Sequence, residues 1–197
     1  MSDSAAGAGR DLVAPAARAI LRGEVVAFPT ETYYGLAVAA LDGLALDRLF
    51  ALKGRSAEKA SALLVADLAM FAELCSEVPD RARELADAHW PGALTIALPA
   101  RAGLPAAIVS DGYVAARVSS HPLAAALVRA VGGPITATSA NPAGAAPART
   151  ALEVARHFAG KRLHLLDGGQ TPGGAPSTLV RIHGGVLEIL RVGAVKP

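Results

Sequence analysis

The segment VVAFPTETYYGLA, residues 25–37, joins an apolar run to a polar and aromatic continuation. The run 25–28 predicts a buried core strand, and Pro29 ends it because proline donates no backbone hydrogen bond to a sheet. Hydroxyl, carboxylate and aromatic side chains then fill 30–34, in a chain with only 4% aromatic residues. A cluster of this kind directly after a core strand needs an explanation beyond packing.

The composition is typical of one domain with an aliphatic core. The chain has 197 residues, and 52% of them are hydrophobic, which is enough for a large core. The formal charge of +2 and the absence of a long Lys/Arg block argue against stable nucleic-acid binding through charge. A small anionic ligand held by a few placed cations fits this balance better.

Cysteine and histidine usage makes a disulfide framework and a zinc site unexpected. Cys75 is the single cysteine, and the histidines show no His-x-x-x-His pair. We therefore expect a cytoplasmic protein, without a secretory signal, a membrane span or a membrane partner. Residues 1–10 are predicted to form a flexible tail, and 11–197 a single domain.

Helical and strand patterns alternate along the rest of the chain. Helices are predicted at 11–22, at 42–53, after the capping Asp67, and at 79–90, 122–131 and 150–159. Strands are predicted at 24–28, 61–66, 93–98, 113–118, 134–138 and 163–166, with a final hairpin joining 177–182 to 186–190. The predicted fold class is α/β, with one mixed, twisted open sheet and flanking helices.

Polar side chains fall at the ends of several predicted strands. They are Thr30, Arg117, Ser139, Asn141, Ser177 and Arg191. Because ligands bind at strand ends in open α/β sheets, these groups would line one pocket if the ends converge. Lys53 and Arg55 flank a glycine in LKGRSAEK, and both could reach one phosphate chain.

Each of these features also has a structural interpretation. KGRS at 53–56 is typical of a solvated loop, and ATSAN at 137–141 could be a helix cap. Arg117 lies in an apolar strand, where a structural salt bridge explains it as well as a ligand carboxylate does. GGQTPGG at 168–174 lacks the closing Gly-Lys-Ser/Thr of a phosphate-binding P-loop.

The order of the segments points to one family. They are PTETYYGL (29–36), KGRSAEKA (53–60), WPGALTIAL (90–98), AARVSSHPLA (115–124), GPITATSANPAG (133–144), GGAPSTLV (173–180) and ILRVGAV (189–195). Together they resemble the YrdC/TsaC family of threonylcarbamoyl-adenylate synthases, from about residue 11 to the end of the chain. The Lys-x-Arg and the later Ser-x-Asn make the resemblance specific.

The resemblance implies a YrdC-like catalytic domain with a central, positively lined cavity. It implies synthesis of L-threonylcarbamoyl-AMP from L-threonine, bicarbonate and ATP, with release of pyrophosphate and with Mg²⁺ carried by ATP. The product would feed threonylcarbamoyl modification of adenosine 37 in tRNAs that read codons starting with A. That later step belongs to a downstream tRNA threonylcarbamoyl transferase machinery.

The resemblance also implies roles for individual positions. Lys53 and Arg55 would be catalytic, and no residue would be a metal ligand. The ATP-binding positions would be Lys53, Arg55, Ala57, Tyr113, Ser139, Asn141, Pro147 and Arg191. The threonine-binding positions would be Thr30, Arg117, Ala137 and Ser177, with the segment 30–34 as one wall of the pocket. Tyr33, Tyr113 and Ser119 depart from the residues usual in the family.

Two other functions stay open at this point. YrdC-like modules of carbamoyltransferases use a carbamoyl-adenylate and pass the carbamoyl group on. A binding module for nucleotide or RNA would have no catalytic activity. Pyrophosphate release that depends on threonine would separate the three.

Overall fold

Helices and strands alternate through most of the chain, as the sequence predicts. The computed structural model describes residues 3–54 and 60–197, with side chains from Leu12 onward. The helices are α1 (Asp3–Leu21), α2 (Gly43–Lys53), α3 (Leu68–Ala72), α4 (Asp80–His89), α5 (Pro122–Val131) and α6 (Ala151–His157). The strands are β1 (Val26–Phe28), β2 (Gly35–Ala37), β3 (Leu63–Leu64), β4 (Leu94–Pro99), β5 (Val109–Ser110), β6 (Tyr113–Arg117), β7 (Ile135–Thr136), β8 (Thr138–Ser139), β9 (His164–Leu165), β10 (Thr178–His183) and β11 (Val186–Arg191).

Capping residues set several helix boundaries. The Asp42 carboxylate accepts a hydrogen bond from the Ala45 N–H at 3.1 Å, and α2 ends at Gly54 in the left-handed conformation, with φ 62°. The Asp67 carboxylate caps α3 through the Met70 N–H at 2.8 Å. Both helices were predicted, the helix at 42–53 as a helical segment and the second helix from its capping Asp67. Helix α1 begins before the predicted residue 11 and overlaps the predicted tail, whose flexibility stays a prediction.

The predicted α/β fold class, with a mixed, twisted open sheet and flanking helices, is confirmed, but the strands form two hydrogen-bonded sheets where the sequence predicted one. The smaller sheet has the order β8-β2-β1-β9, and the larger has the order β11-β10-β4-β6-β3-β7, with β5 paired to β6. Both are mixed, since β1 pairs antiparallel with β2 and parallel with β9, and β4 pairs parallel with β10 and antiparallel with β6. The C-terminal hairpin of β10 and β11 was predicted correctly.

The two sheets meet at Ala137. The predicted strand 134–138 divides there, because Ile135 and Thr136 pair with β3 while Thr138 pairs with β2 in the other sheet. The Ala137 N–H donates to the Ala62 carbonyl at 2.8 Å, which holds the corner. A single chain segment therefore carries polar residues from the large sheet to the small one.

Strand β1 is buried on both faces. Val26 and Phe28 pack in a cluster with α1 and α5, while Ala27 points into the larger core between the sheets. This placement explains why the segment is continuously apolar instead of alternating. In the described part of the chain, no helix combines the length and apolar character required to cross a bilayer.

Cys75 is partly buried and packs against the larger core cluster. Its Sγ donates to the Phe71 carbonyl at 3.2 Å, and burial raises the pKa of the thiol from 9.0 to about 12.

At pH 8 the thiolate fraction of Cys75 should therefore fall about a thousandfold below that of the unfolded chain. Alkylation rates measured on native and denaturant-unfolded protein check this, and equal rates would contradict it.

Candidate active site

A cavity of about 680 Å³ opens where strand ends of both sheets meet. This volume lies in the range of roughly 300–1,000 Å³ usual for small-ligand sites. Its described lining includes three arginines, Arg117, Arg181 and Arg191, against one aspartate, Asp111. The predicted positively lined cavity is therefore present, and Arg191 favours an anionic ligand directly, whereas Arg117 and Arg181 form ion pairs with Glu31 and Glu188 outside the lining.

The segment 30–34 connects the antiparallel strands β1 and β2 and lies at the cavity. Thr30 is 3% exposed, and its hydroxyl donates to the Tyr33 carbonyl at 2.7 Å. The Thr32 N–H donates back to Thr30 Oγ1 at 3.2 Å, so the loop is held by its own hydroxyls. Thr30, Thr32 and Tyr33 line the cavity. The polar residues after the core strand thus form one wall, as predicted.

The loop 168–176 is bound to this wall by hydrogen bonds. The Gly173 N–H donates to the Thr32 carbonyl at 2.7 Å, and the Tyr33 hydroxyl donates to the Gly174 carbonyl at 2.9 Å. The fully buried Tyr34 hydroxyl donates to the Gly169 carbonyl at 2.7 Å and accepts from the Gly168 N–H at 3.1 Å. Burial raises the pKa of Tyr34, which keeps this donor protonated.

Replacement of Tyr34 with phenylalanine should loosen this loop. The Gly168 N–H and the Gly169 carbonyl would lose their partner, at a cost of about 1–3 kcal/mol in the free energy of unfolding. Amide hydrogen exchange of the loop 168–176 should accelerate more than exchange in α5. Denaturant titration and hydrogen exchange measure the two effects, and uniform exchange changes would show that Tyr34 acts only on global stability.

Arg117 ends β6 and is the one buried arginine of the three in the described lining. It is 8% exposed, and its Nη1 forms an ion pair with Glu31 Oε1. Burial lowers the pKa of its guanidinium, Glu31 raises it in part, and the nearby positive charge of Arg191 lowers it further. The salt bridge that the sequence left open is therefore present, and Arg117 still lines the cavity.

Ser177 and Arg191 lie together at the start of β10 and the end of β11. Arg191 donates to the Ser177 carbonyl at 2.9 Å and to its hydroxyl at 3.0 Å. Ser177 Oγ is also 2.8 Å from the hydroxyl of Thr95 in β4. Gly193 permits this arrangement, since a Cβ there would lie 2.2 Å from the Pro176 carbonyl oxygen. The C-terminal segment thus brings a cation and one hydroxyl to the cavity, next to the Thr95 hydroxyl from β4.

Tyr113 lies at another part of the lining and is contacted at its hydroxyl and at one face of its ring. Its hydroxyl is 2.8 Å from His183 Nδ1, and the guanidinium of Arg181 lies 5.2 Å from the ring centroid. Arg181 is paired with Glu188, with 2.5 Å between Nη2 and Oε2. Arg181 covers one face of the ring, and Tyr113 is part of the cavity lining, where an aromatic ring is a group on which a nucleobase can stack.

Lys53 connects the end of α2 to the segment 139–141. It is 4% exposed, and its Nζ donates to the Ser139 carbonyl at 2.5 Å and to the Asn141 carbonyl at 3.1 Å. The Asn141 amide donates to the Ala145 carbonyl at 2.7 Å, and its Oδ1 is buried without a partner among the described residues. Lys53 therefore fixes the backbone that carries Ser139 to the cavity wall.

The structure brings most of the predicted site residues together at one cavity. The predicted residues in its lining are Thr30, Tyr113, Arg117, Ala137, Ser139, Pro147, Ser177 and Arg191. Lys53 and Asn141 lie directly behind Ser139 without lining the cavity. Arg55 and Ala57 fall within 55–59, outside the described residues. The ligands and roles predicted for all of these positions stay predictions.

Two residues that contact the predicted site received no role from the sequence. Glu31 was part of the polar segment, and the need of a buried arginine for a carboxylate could have singled it out. Thr95 stands as a lone hydroxyl in the apolar strand segment ALTIAL, which is the same kind of signal. Among the described residues, no group of three His, Cys, Asp or Glu side chains could hold a metal ion.

Comparison with known proteins gives the relatives of this chain. Residues 18–193 match the model of the Sua5/YciO/YrdC family, described as "Telomere recombination". Threonylcarbamoyl-AMP synthase of Bacillus subtilis (strain 168) is 37% identical over 185 residues, which is 93% of this chain and 54% of that protein. The protein of the same name from Halorhodospira halophila is 40% identical over 168 residues, 84% of this chain and 87% of that protein.

The fold has a solved counterpart with a bound amino acid. The crystal structure of Sua5 from P. abyssi complexed with L-threonine matches with a TM-score of 0.87 and 37% identity, over 92% of this chain and 54% of that chain. This chain spans about half the length of the B. subtilis relative and of the threonylcarbamoyl-AMP synthase from Pyrococcus abyssi. On the family match and the identity over most of its length, the chain belongs to the Sua5/YciO/YrdC family.

Proposed function

We propose that the chain is an L-threonylcarbamoyladenylate synthase, a nucleotidyltransferase that uses L-threonine, bicarbonate and ATP. One observation carries the proposal: side chains of the predicted threonine group and of the predicted ATP group line the same cavity. The names of the B. subtilis and H. halophila relatives and the threonine complex of the P. abyssi protein support this assignment.

We assign each substrate to a part of the cavity. Arg117 is the cation for the threonine carboxylate, with the hydroxyls of Thr30 and Ser177 nearby in the lining. Arg191, Ser139 and the ring of Tyr113 serve the nucleotide, with Pro147 beside them. Lys53 and Arg55 complete the phosphate site, Lys53 from behind Ser139. Ala57 and Asn141 are further ATP positions, and Ala137 is a backbone position on the threonine side.

The proposed reaction has two steps. The threonine amine attacks the carbon of bicarbonate, a C–N bond forms, and water leaves to give the N-carboxylate. A carbamate oxygen attacks the α-phosphorus of ATP, a P–O bond forms, and the bond to pyrophosphate breaks. Neither step demands strong acid/base work from a side chain. Positioning and neutralisation of phosphate charge by the arginines and Lys53 supply most of the rate.

Mg²⁺ belongs to this proposal as a companion of ATP. Asp111 is the single carboxylate in the described lining, so the donor set fits an ion held mainly by phosphate oxygens. Such an ion neutralises charge on the phosphates. A cytoplasmic setting and delivery of the product to a tRNA-modifying transferase complete the proposed role. The chain itself needs no stable contact with tRNA for this.

Pyrophosphate release from ATP, Mg²⁺ and bicarbonate tests the function. We expect release only when L-threonine is present, with L-serine as the control amino acid and mass spectrometry to identify the adenylate. Release that is independent of threonine, or ATP binding without release, would reject the proposal. Transfer from carbamoyl phosphate instead of bicarbonate would indicate the carbamoyltransferase alternative.

A further inference from the structure

Glu31 lies between two groups that bind both of its carboxylate oxygens. Oε1 accepts from Arg117 Nη1, and Oε2 accepts from the Ser119 hydroxyl. The side chains of Arg117 and Glu31 are only 10% and 15% exposed. Ser119 is 3% exposed, and its Oγ also accepts from the His121 N–H at 3.2 Å. The carboxylate is thus fixed from two directions.

We propose that Glu31, held by Ser119, is the positioning residue that orients Arg117 for the carboxylate of the amino-acid substrate. This inference rests on the proposed function, because it concerns the substrate that Arg117 binds. Glu31 acts through Arg117 and does not contact the substrate. It is absent from the cavity lining, whereas Arg117 is part of that lining.

The geometry leaves Arg117 with binding capacity towards the cavity. A guanidinium has five N–H donors in a planar fork, and Glu31 engages one of the terminal nitrogens. No other described residue hydrogen-bonds the Arg117 side chain, while the group remains part of the cavity wall. A second carboxylate can therefore be bound by the other edge of the fork while the first ion pair persists.

A competing role for Glu31 predicts the opposite change in threonine affinity when Glu31 is replaced. If Glu31 occupied the substrate's place on Arg117, it would have to leave when threonine binds, and its removal would strengthen binding. The contacts favour the positioning role. Displacement would leave a mostly buried carboxylate without its cation and the Ser119 hydroxyl without its acceptor. The Glu31 backbone is also part of the loop that Thr30 and Thr32 hold closed.

The Ser119 hydroxyl sets the direction of the contact. Because it accepts from the His121 N–H, its own hydrogen is directed towards Glu31 Oε2. His121 lies directly before α5, and Arg117 ends β6, so the series of hydrogen bonds through Ser119 and Glu31 connects a helix to a strand. These contacts thus fix the Glu31 carboxylate against Arg117 at a position outside the cavity lining.

Kinetics of three variants of the full chain test the proposal. Glu31→Ala should raise the threonine KM at least about tenfold and leave the ATP KM within about twofold, since only the carboxylate site loses its orientation. Glu31→Gln keeps an acceptor for Arg117 and should recover most of that loss. Ser119→Ala should raise the threonine KM by about threefold, because the ion pair remains. Glu24→Gln, at the exposed pair with Arg22, is the matched control.

The outcomes separate this inference from the proposed function. A threonine KM that falls or stays unchanged in Glu31→Ala, with an active parent enzyme, overturns the positioning role alone. Equal increases in both KM values, or loss of thermal stability that Glu31→Gln does not repair, would show a merely structural role. A parent enzyme that releases no pyrophosphate overturns the proposed function, and calorimetric threonine affinities of the same variants then decide the inference.

Discussion

Replacement of Lys53 with alanine should lower threonine-dependent pyrophosphate release by one to two orders of magnitude or more. The ammonium is nearly buried and holds the carbonyls of Ser139 and Asn141, so its loss releases the wall segment. Under the proposed function, its loss also removes a cation that serves the ATP phosphates. Removal of a single preorganised hydrogen-bond donor to developing charge costs about 10²–10³ in turnover in other enzymes. Steady-state kinetics with varied ATP measure the effect.

Two further variants separate the effect of the Lys53 charge from its effect on the 139–141 backbone. Lys53→Met keeps the apolar stem and removes the ammonium, whereas Lys53→Arg keeps the charge with a different donor geometry. If phosphate neutralisation dominates, Lys53→Arg should retain far more activity than Lys53→Met. If the hold on the 139–141 backbone dominates, both variants should lose activity together with thermal stability. Lys161→Ala, at an exposed lysine, is the control, and unchanged turnover in Lys53→Ala would reject the assignment.

The elements that the sequence predicted well have local signals. The Asp42 and Asp67 caps, the left-handed glycine after α2 and the HGG turn between β10 and β11 each act over a few residues. Local hydrogen bonds fix such boundaries, so they can be read without knowledge of the fold. Strand β2 was missed because its three residues, 35–37, are too few to show a strand pattern.

The division into two sheets depends on distant partners. Residues 134–138 look like one strand, yet Ile135 pairs with Leu64, and Thr138 pairs with Leu36 in the other sheet. Nothing within the segment distinguishes its two halves. Register between strands is set by tertiary packing and by turn geometry elsewhere in the chain, which a single sequence does not display.

The sequence could identify most residues of the site but not which of them contact one another. Polar groups at strand ends identify a pocket because of where ligands bind in open sheets. The burial of Arg117 in an apolar strand required a partner, but its identity depends on bringing residues 31 and 117 together. Lys53 shows a further limit, since its described partners are backbone carbonyls, which have no sequence signature.

Arg117→Lys should raise the threonine KM by one to two orders of magnitude with a much smaller effect on stability. The lysine keeps a positive charge for Glu31 but loses the planar fork that can bind two carboxylates. Loss of charge-assisted hydrogen bonds worth about 1.5–3 kcal/mol corresponds to roughly a tenfold to hundredfold weaker affinity. The ATP KM should change little, because of the predicted ATP groups in the lining only Tyr113 shares β6 with Arg117, and it lies at the opposite end of that strand.

Full removal of the charge tests the structural role of the ion pair. Arg117→Met leaves Glu31 as a mostly buried carboxylate without its cation, which should lower the free energy of unfolding by about 3–5 kcal/mol. The double variant Arg117→Met/Glu31→Gln removes both charges and should regain most of that stability. Threonine affinity should remain lost in the double variant, because no cation is left for the substrate carboxylate. Denaturant titration and calorimetry on the same samples measure both quantities. Recovery of threonine binding together with stability would show that Arg117 only supports the fold and that another cation, such as Arg191, binds the amino acid.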